Sequence, residues 1–62
     1  MCQSSIYAID NGRQELLLEE VARLKIEGNE ITIEPLLGEP VSLAARIKEI
    51  DLMKHRIVLE KI

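Results

Sequence analysis

The stretch Ala22-Arg23-Leu24-Lys25-Ile26-Glu27-Gly28-Asn29-Glu30-Ile31-Thr32-Ile33-Glu34 decides the fold. Ala22, Leu24 and Ile26 alternate with the charged Arg23, Lys25 and Glu27, and Ile31 and Ile33 alternate with Glu30, Thr32 and Glu34. A period of two sends successive side chains to opposite faces, so each segment has one apolar face and one wet face, the pattern of a half-buried strand. Gly28-Asn29 sits between the two runs, and these residue types reverse the chain in two positions at low steric cost. The whole stretch reads as a β-hairpin.

The same grammar extends in both directions. Gln3 to Ile9 is rich in β-formers and ends at Asp10-Asn11-Gly12, where Asn and Gly accept positive φ; Arg13 to Leu18 returns as a second strand. Pro35 and Pro40 bracket Leu36-Leu37-Gly38-Glu39 as a bend. Beyond it, Val41, Leu43, Ala45 and Ile47 alternate, and Ile50 and Leu52 resume one residue out of phase, which a bulge near Lys48-Glu49 absorbs. Leu43, Ile47 and Ile50 also share a helical face, and Ala44-Ala45-Arg46 favours helix by propensity. The β character of every neighbouring segment decides for strand across 41–52. Met53-Lys54-His55 forms the final turn, and Arg56 to Lys61 the final strand, with Ile57 and Leu59 inward. About six short antiparallel strands and no helix predict an all-β fold, a small, partly open β-barrel of SH3 or Sm size spanning residues 1–62 as a single domain.

A chain of 62 residues is near the lower limit for a core that folds alone. One cysteine excludes an internal disulfide, and Cys2 with His55 supplies too few ligands for a structural zinc site within one chain. Oligomerisation is the remedy that remains. The apolar fraction of 47% supports both a core and a second adhesive surface, and with Tyr7 as the lone aromatic that core must be aliphatic. Leu17, Val58 and Ile62 are left over on outward faces, which predicts a homodimer with an apolar interface.

A net charge of −3 and a single aromatic speak against nucleic-acid binding, which draws on basic stripes and stacking platforms. No stretch approaches the roughly 20 apolar residues of a membrane span. The opening MCQSSIYAI lacks a positive leader and a cleavage motif, and an unpaired thiol suits a reducing compartment, so a cytoplasmic protein is expected.

Cys2 is the candidate metal ligand. A residue this small after Met1 favours removal of the methionine, which would leave an α-amine and a thiolate on one Cα, able to close a five-membered chelate. Such donors suit nickel, copper or zinc rather than magnesium or calcium. Two ligands per chain are too few for a complete site, so a second copy is wanted. His55, between charged residues in a turn, reads as an exposed and idle imidazole, and Glu15, Glu19 and Glu20 as a solvated face. Ser4 and Ser5 have no base in reach of the sequence, and no nucleophilic triad is visible, so the chain is not expected to be an enzyme.

Taken end to end, the chain resembles the CooT family of small nickel-binding proteins. The resemblance is carried by the opening Met1-Cys2, the Asp10-Asn11-Gly12 turn, the pair Val21-Ala22-Arg23-Leu24-Lys25 and Ile31-Thr32-Ile33, and the distal Ala45-Arg46-Ile47-Lys48-Glu49-Ile50-Asp51-Leu52 followed by Arg56-Ile57-Val58-Leu59. It implies a homodimeric small barrel with one Ni(II) bound between two subunits through Cys2, acting as an accessory factor that supplies nickel to an enzyme such as carbon monoxide dehydrogenase. Relatives also carry an RNA-binding label drawn from the fold, so a small-barrel interaction module is the alternative reading. Only Cys2 transfers by position; His55 matches no family ligand.

Overall fold

A computed structural model describes residues 4–62, and these form five β-strands and no helix. In chain order they are β1 (Ser4–Asp10), β2 (Arg13–Glu27), β3 (Glu30–Pro35), β4 (Val41–Asp51) and β5 (Arg56–Lys61). Sequential strands pair antiparallel, and β5 then pairs with β1 to close the ring. The closing pair is parallel, Ser5 opposite Arg56 through Ile9 opposite Glu60, so the expectation of antiparallel pairing throughout is corrected at this one joint. No hairpin connects β1 to β5, so nothing in the local chain forces them antiparallel.

The count of five, where the sequence predicts six, comes from β2. The segments around Arg13–Leu18 and Ala22–Glu27 are one strand of 15 residues. Glu19-Glu20-Val21 contains no Gly or Pro to break it. Instead Glu20 takes a left-handed φ of 55°, and the pairing register with β3 slips between Val21 and Arg23. The strand bends without stopping. Its first half pairs with β1 and its second with β3, Val21 facing both Ser4 and Pro35. Ala22, expected inward, falls in this slip and is exposed. β4 is shared in the same way, with Val41–Ala44 on β3 and Ala45–Asp51 on β5. Two long, bent strands each serving two neighbours let five strands close, where the sequence alone suggests a partly open barrel; small rings need this stagger.

Segment 41–51 is strand, and the register of β4 on β5 slips between Ile47 and Glu49, leaving Lys48 as the extra residue of the bulge. At the first turn, Asn11 and Gly12 have φ of 55° and 77°, the two positive values of a type I′ hairpin.

Ile6, Ile31, Ile33, Ala45 and Leu59 fill the ring, and Leu17, Leu18, Val21, Leu24, Leu43, Ile47 and Ile57 pack against them. The core is aliphatic throughout. Two residues expected to face outward are therefore reassigned. The β1/β2 register slips so that Ile6 faces Leu18 and Tyr7 faces Leu16, and Leu17 between them packs against the core. Val58 does lie on the face opposite Leu59, but it is only 3% exposed, flanked by Tyr7 on β1 and Glu49 on β4. The Arg56 guanidinium stands 5.7 Å from the Tyr7 ring centroid on the same outer face. Ile62 is exposed as expected.

Candidate metal site

Cys2 lies outside the described residues. The start of β1 is well defined. Ser4 pairs with Val21, next to the bend of β2, and Ser5 pairs with Arg56 at the start of β5. The Ser5 amide donates to the His55 carbonyl at 2.9 Å, and the Leu36 amide donates to the Glu20 carbonyl at 2.9 Å. The start of β1 therefore lies between the bend of β2, which the β3–β4 bend touches on its far side, and the β4–β5 turn. Cys2 is two residues ahead of Ser4 in the chain.

His55 is exposed and holds φ of 53° at the last position of its turn. The sequence places it 53 residues from Cys2; the parallel β1/β5 pairing brings its backbone beside the first strand. No sequence signal announces that pairing, because periodicity specifies faces and not which edges meet. Glu15, Glu19 and Glu20 are exposed along β2. Among the described residues, no three His, Cys, Asp or Glu side chains converge as a metal-binding group. Ser4 and Ser5 are half-buried, and no side chain is hydrogen-bonded to either hydroxyl among the described residues.

The outer wall is occupied by cross-strand polar pairs. Arg23 binds Glu34 at 2.8 Å between β2 and β3, and Arg46 binds Glu60 at 3.0 Å between β4 and β5. Thr32 and Ser42 join their hydroxyls at 3.0 Å across β3 and β4. These exposed ion pairs add little stability, but they engage two of the four arginines with carboxylates. No helix among the described residues is long and apolar enough to cross a membrane.

Comparison with known proteins agrees with this architecture. The family model for CO dehydrogenase accessory protein CooT matches residues 1–60. A crystal structure assigned as CooT from Carboxydothermus hydrogenoformans is 31% identical, covers 98% of each chain and gives a TM-score of 0.84. An uncharacterized protein of Archaeoglobus fulgidus is 35% identical over 43 residues, which is 69% of this chain and 96% of its own. The family is described by an accessory role and not by a catalytic one. With the family model spanning nearly the whole sequence, Met1-Cys2 included, and a family structure sharing the same fold, the chain belongs to the CooT family.

Proposed function

We propose that this protein is a nickel-binding accessory factor that carries one Ni(II) between two copies of the chain, held by Cys2 of each, for delivery to a nickel enzyme such as CO dehydrogenase. The observation that carries the reading is the family match across residues 1–60, which includes Cys2 and bears the accessory description.

The donor chemistry is consistent with that role. Two thiolates on a two-fold axis give one ion per dimer, because an isologous interface sets identical residues opposite each other. Nickel(II) accepts tetragonal sets of sulfur and nitrogen, and the α-amines or nearby backbone nitrogens are the nitrogen donors at hand. A ligand set at a chain terminus is open to a receiving protein, which suits cargo that must be released. The barrel supplies the rigid frame, and β1 enters it beside the β4–β5 turn.

The test is a nickel titration of reduced protein that begins at Cys2, followed by thiolate-to-nickel charge-transfer absorption. One ion per two chains, and loss of both signal and tight binding in Cys2→Ser, is the expected result. A Cys2→Ser protein that binds nickel as tightly as the parent would sink the proposal.

A further inference from the structure

We infer that the outer face of the β1–β5 joint is a docking surface for a partner protein that presents one carboxylate beside an apolar side chain, with the Arg56 guanidinium as its anchor. The inference goes beyond the metal reading; only its purpose, a partner held within reach of Cys2, rests on that reading.

The parallel joint sets Ser5 opposite Arg56 and Tyr7 opposite Val58. Alternation along each strand puts these four on the outside, while Ile6 and Leu59 fill the ring. Arg56 is half-buried, and a guanidinium is always charged. Arg23 and Arg46 each bind a carboxylate, but Arg56 is in no ion pair or side-chain hydrogen bond among the described residues. Its Nε is shut off from water and has no acceptor. Burying a charge is costly unless it is paired. The carboxylate opposite it is otherwise engaged, since Asp51 on β4 accepts the Lys54 amide at 3.0 Å and so holds the turn. The guanidinium stands instead over Tyr7, 5.7 Å from the ring centroid. A ring attracts the cation but accepts none of its in-plane N–H bonds in the way a carboxylate does.

The surroundings select the acceptor. One unpaired cation matches one negative charge, and the planar fork of arginine matches the two oxygens of a carboxylate. Glu49 and Asp51, opposite Val58 and Arg56, line the β4 side, so a phosphate dianion or a polyanion meets more repulsion there than a carboxylate does. On the other side Leu16, opposite Tyr7, is 47% exposed, and Leu16, Tyr7 and Val58 form one row across β2, β1 and β5. That row offers apolar contact beside the charge. The outside of a closed barrel is convex, whereas sites for free small molecules are concave, so the carboxylate arrives on a larger partner. Ser5 is three residues after Cys2, and three extended residues span at most about 11 Å. A partner anchored on Arg56 is therefore close to the candidate metal ligand.

The test is heteronuclear NMR of the metal-free, reduced full chain, following the Arg56 Nε–H and the Tyr7 ring. The probe is N-acetyl-Leu-Glu-amide, with N-acetyl-Leu-Gln-amide, acetate and inorganic phosphate as comparators. The acidic peptide should shift both signals saturably and bind at least roughly 10-fold more tightly than the neutral one, the worth of a charge-assisted hydrogen bond. Arg56→Gln should abolish that discrimination, and Arg56→Lys should restore it only in part, because an ammonium lacks the fork. Dispersion of the remaining amide signals verifies the fold of each variant, and the Glu-against-Gln comparison on the parent needs no variant. Equal binding of the two peptides, or equal shifts at the exposed Arg13, overturns the site. Acetate or phosphate binding as tightly as the acidic peptide overturns the partner and leaves a simple anion site. Sedimentation run alongside covers the remaining occupant: an acidic peptide that splits a dimer into 7 kDa chains shows a second copy on this face and overturns the assignment. The nickel reading fails separately, because a Cys2→Ser protein that binds nickel like the parent removes the metal site and leaves the peptide titration unchanged.

Discussion

Leu59→Ala should remove about half of the stability of the fold. Leu59 is 0% exposed and sits at the middle of β5, opposite Ala8 on β1 and Ile47 on β4. Two of its core neighbours, Ala8 and Ala45, are the smallest apolar side chains and cannot extend into the space left behind. A Leu→Ala change in a core costs about 2–5 kcal/mol, more where the cavity does not collapse, so about 3–4 kcal/mol is expected. A chain this size has about 3–9 kcal/mol in all. At about 4–8 °C per kcal/mol, the midpoint should fall by at least roughly 12 °C. The assay is urea and thermal unfolding, each followed by far-UV circular dichroism at one fixed protein concentration, because the stability of an associating chain depends on concentration. Ile62→Ala, at a site 66% exposed, is the comparator and should change stability by no more than about 0.5 kcal/mol. A cost below about 1 kcal/mol for Leu59→Ala, or one equal to that of Ile62→Ala, would refute the closed aliphatic core as the source of stability.

Glu20→Pro should destabilise the fold by more than about 1 kcal/mol, since proline cannot adopt the φ of 55° that bends β2, whereas Glu20→Gly should be tolerated; paired denaturation curves decide it. Arg46→Ala, which breaks an exposed pair with Glu60, should cost no more than about 1 kcal/mol in the same assay. His55→Ala should leave nickel affinity within about a factor of two of the parent, measured by calorimetry beside Cys2→Ser; a loss comparable to that of Cys2→Ser would make the imidazole a ligand. Nickel binding should strengthen as pH rises from about 6 to about 8, because the metal must displace protons from thiol and amine, and acid favours the protonated, metal-free form. A flat pH response, or equal affinities for protein beginning at Cys2 and protein with an N-terminal extension, would exclude the amine–thiolate chelate.

Local pattern determined much of this protein. Alternation at Leu24 and at Ile31 and Ile33 specifies strand, face and hairpin together, because a two-residue period and a Gly-Asn turn are properties of neighbouring residues. The phase break at Lys48-Glu49 likewise announces its bulge, and the choice of strand over helix for 41–51 follows from the β character around it. Cys2 as a candidate ligand is legible from residue type and position alone, and the family match includes it. Tertiary structure decided what depends on distant contacts. Nothing local in Glu19-Glu20-Val21 states that the strand will bend and continue; only the need of β1 and β3 to share β2 holds Glu20 at positive φ. The parallel closure of β5 on β1 is equally silent in the sequence, and it alone brings His55 beside Ser5. Leu17 and Val58 show the consequence for function. As isolated residues in alternating runs they look like spare apolar surface, yet a register slip and a crowded outer face bury them. The exposed apolar surface passes instead to Leu36, Leu37, Leu52 and Met53, because a closed ring has no room for the residues at its turns.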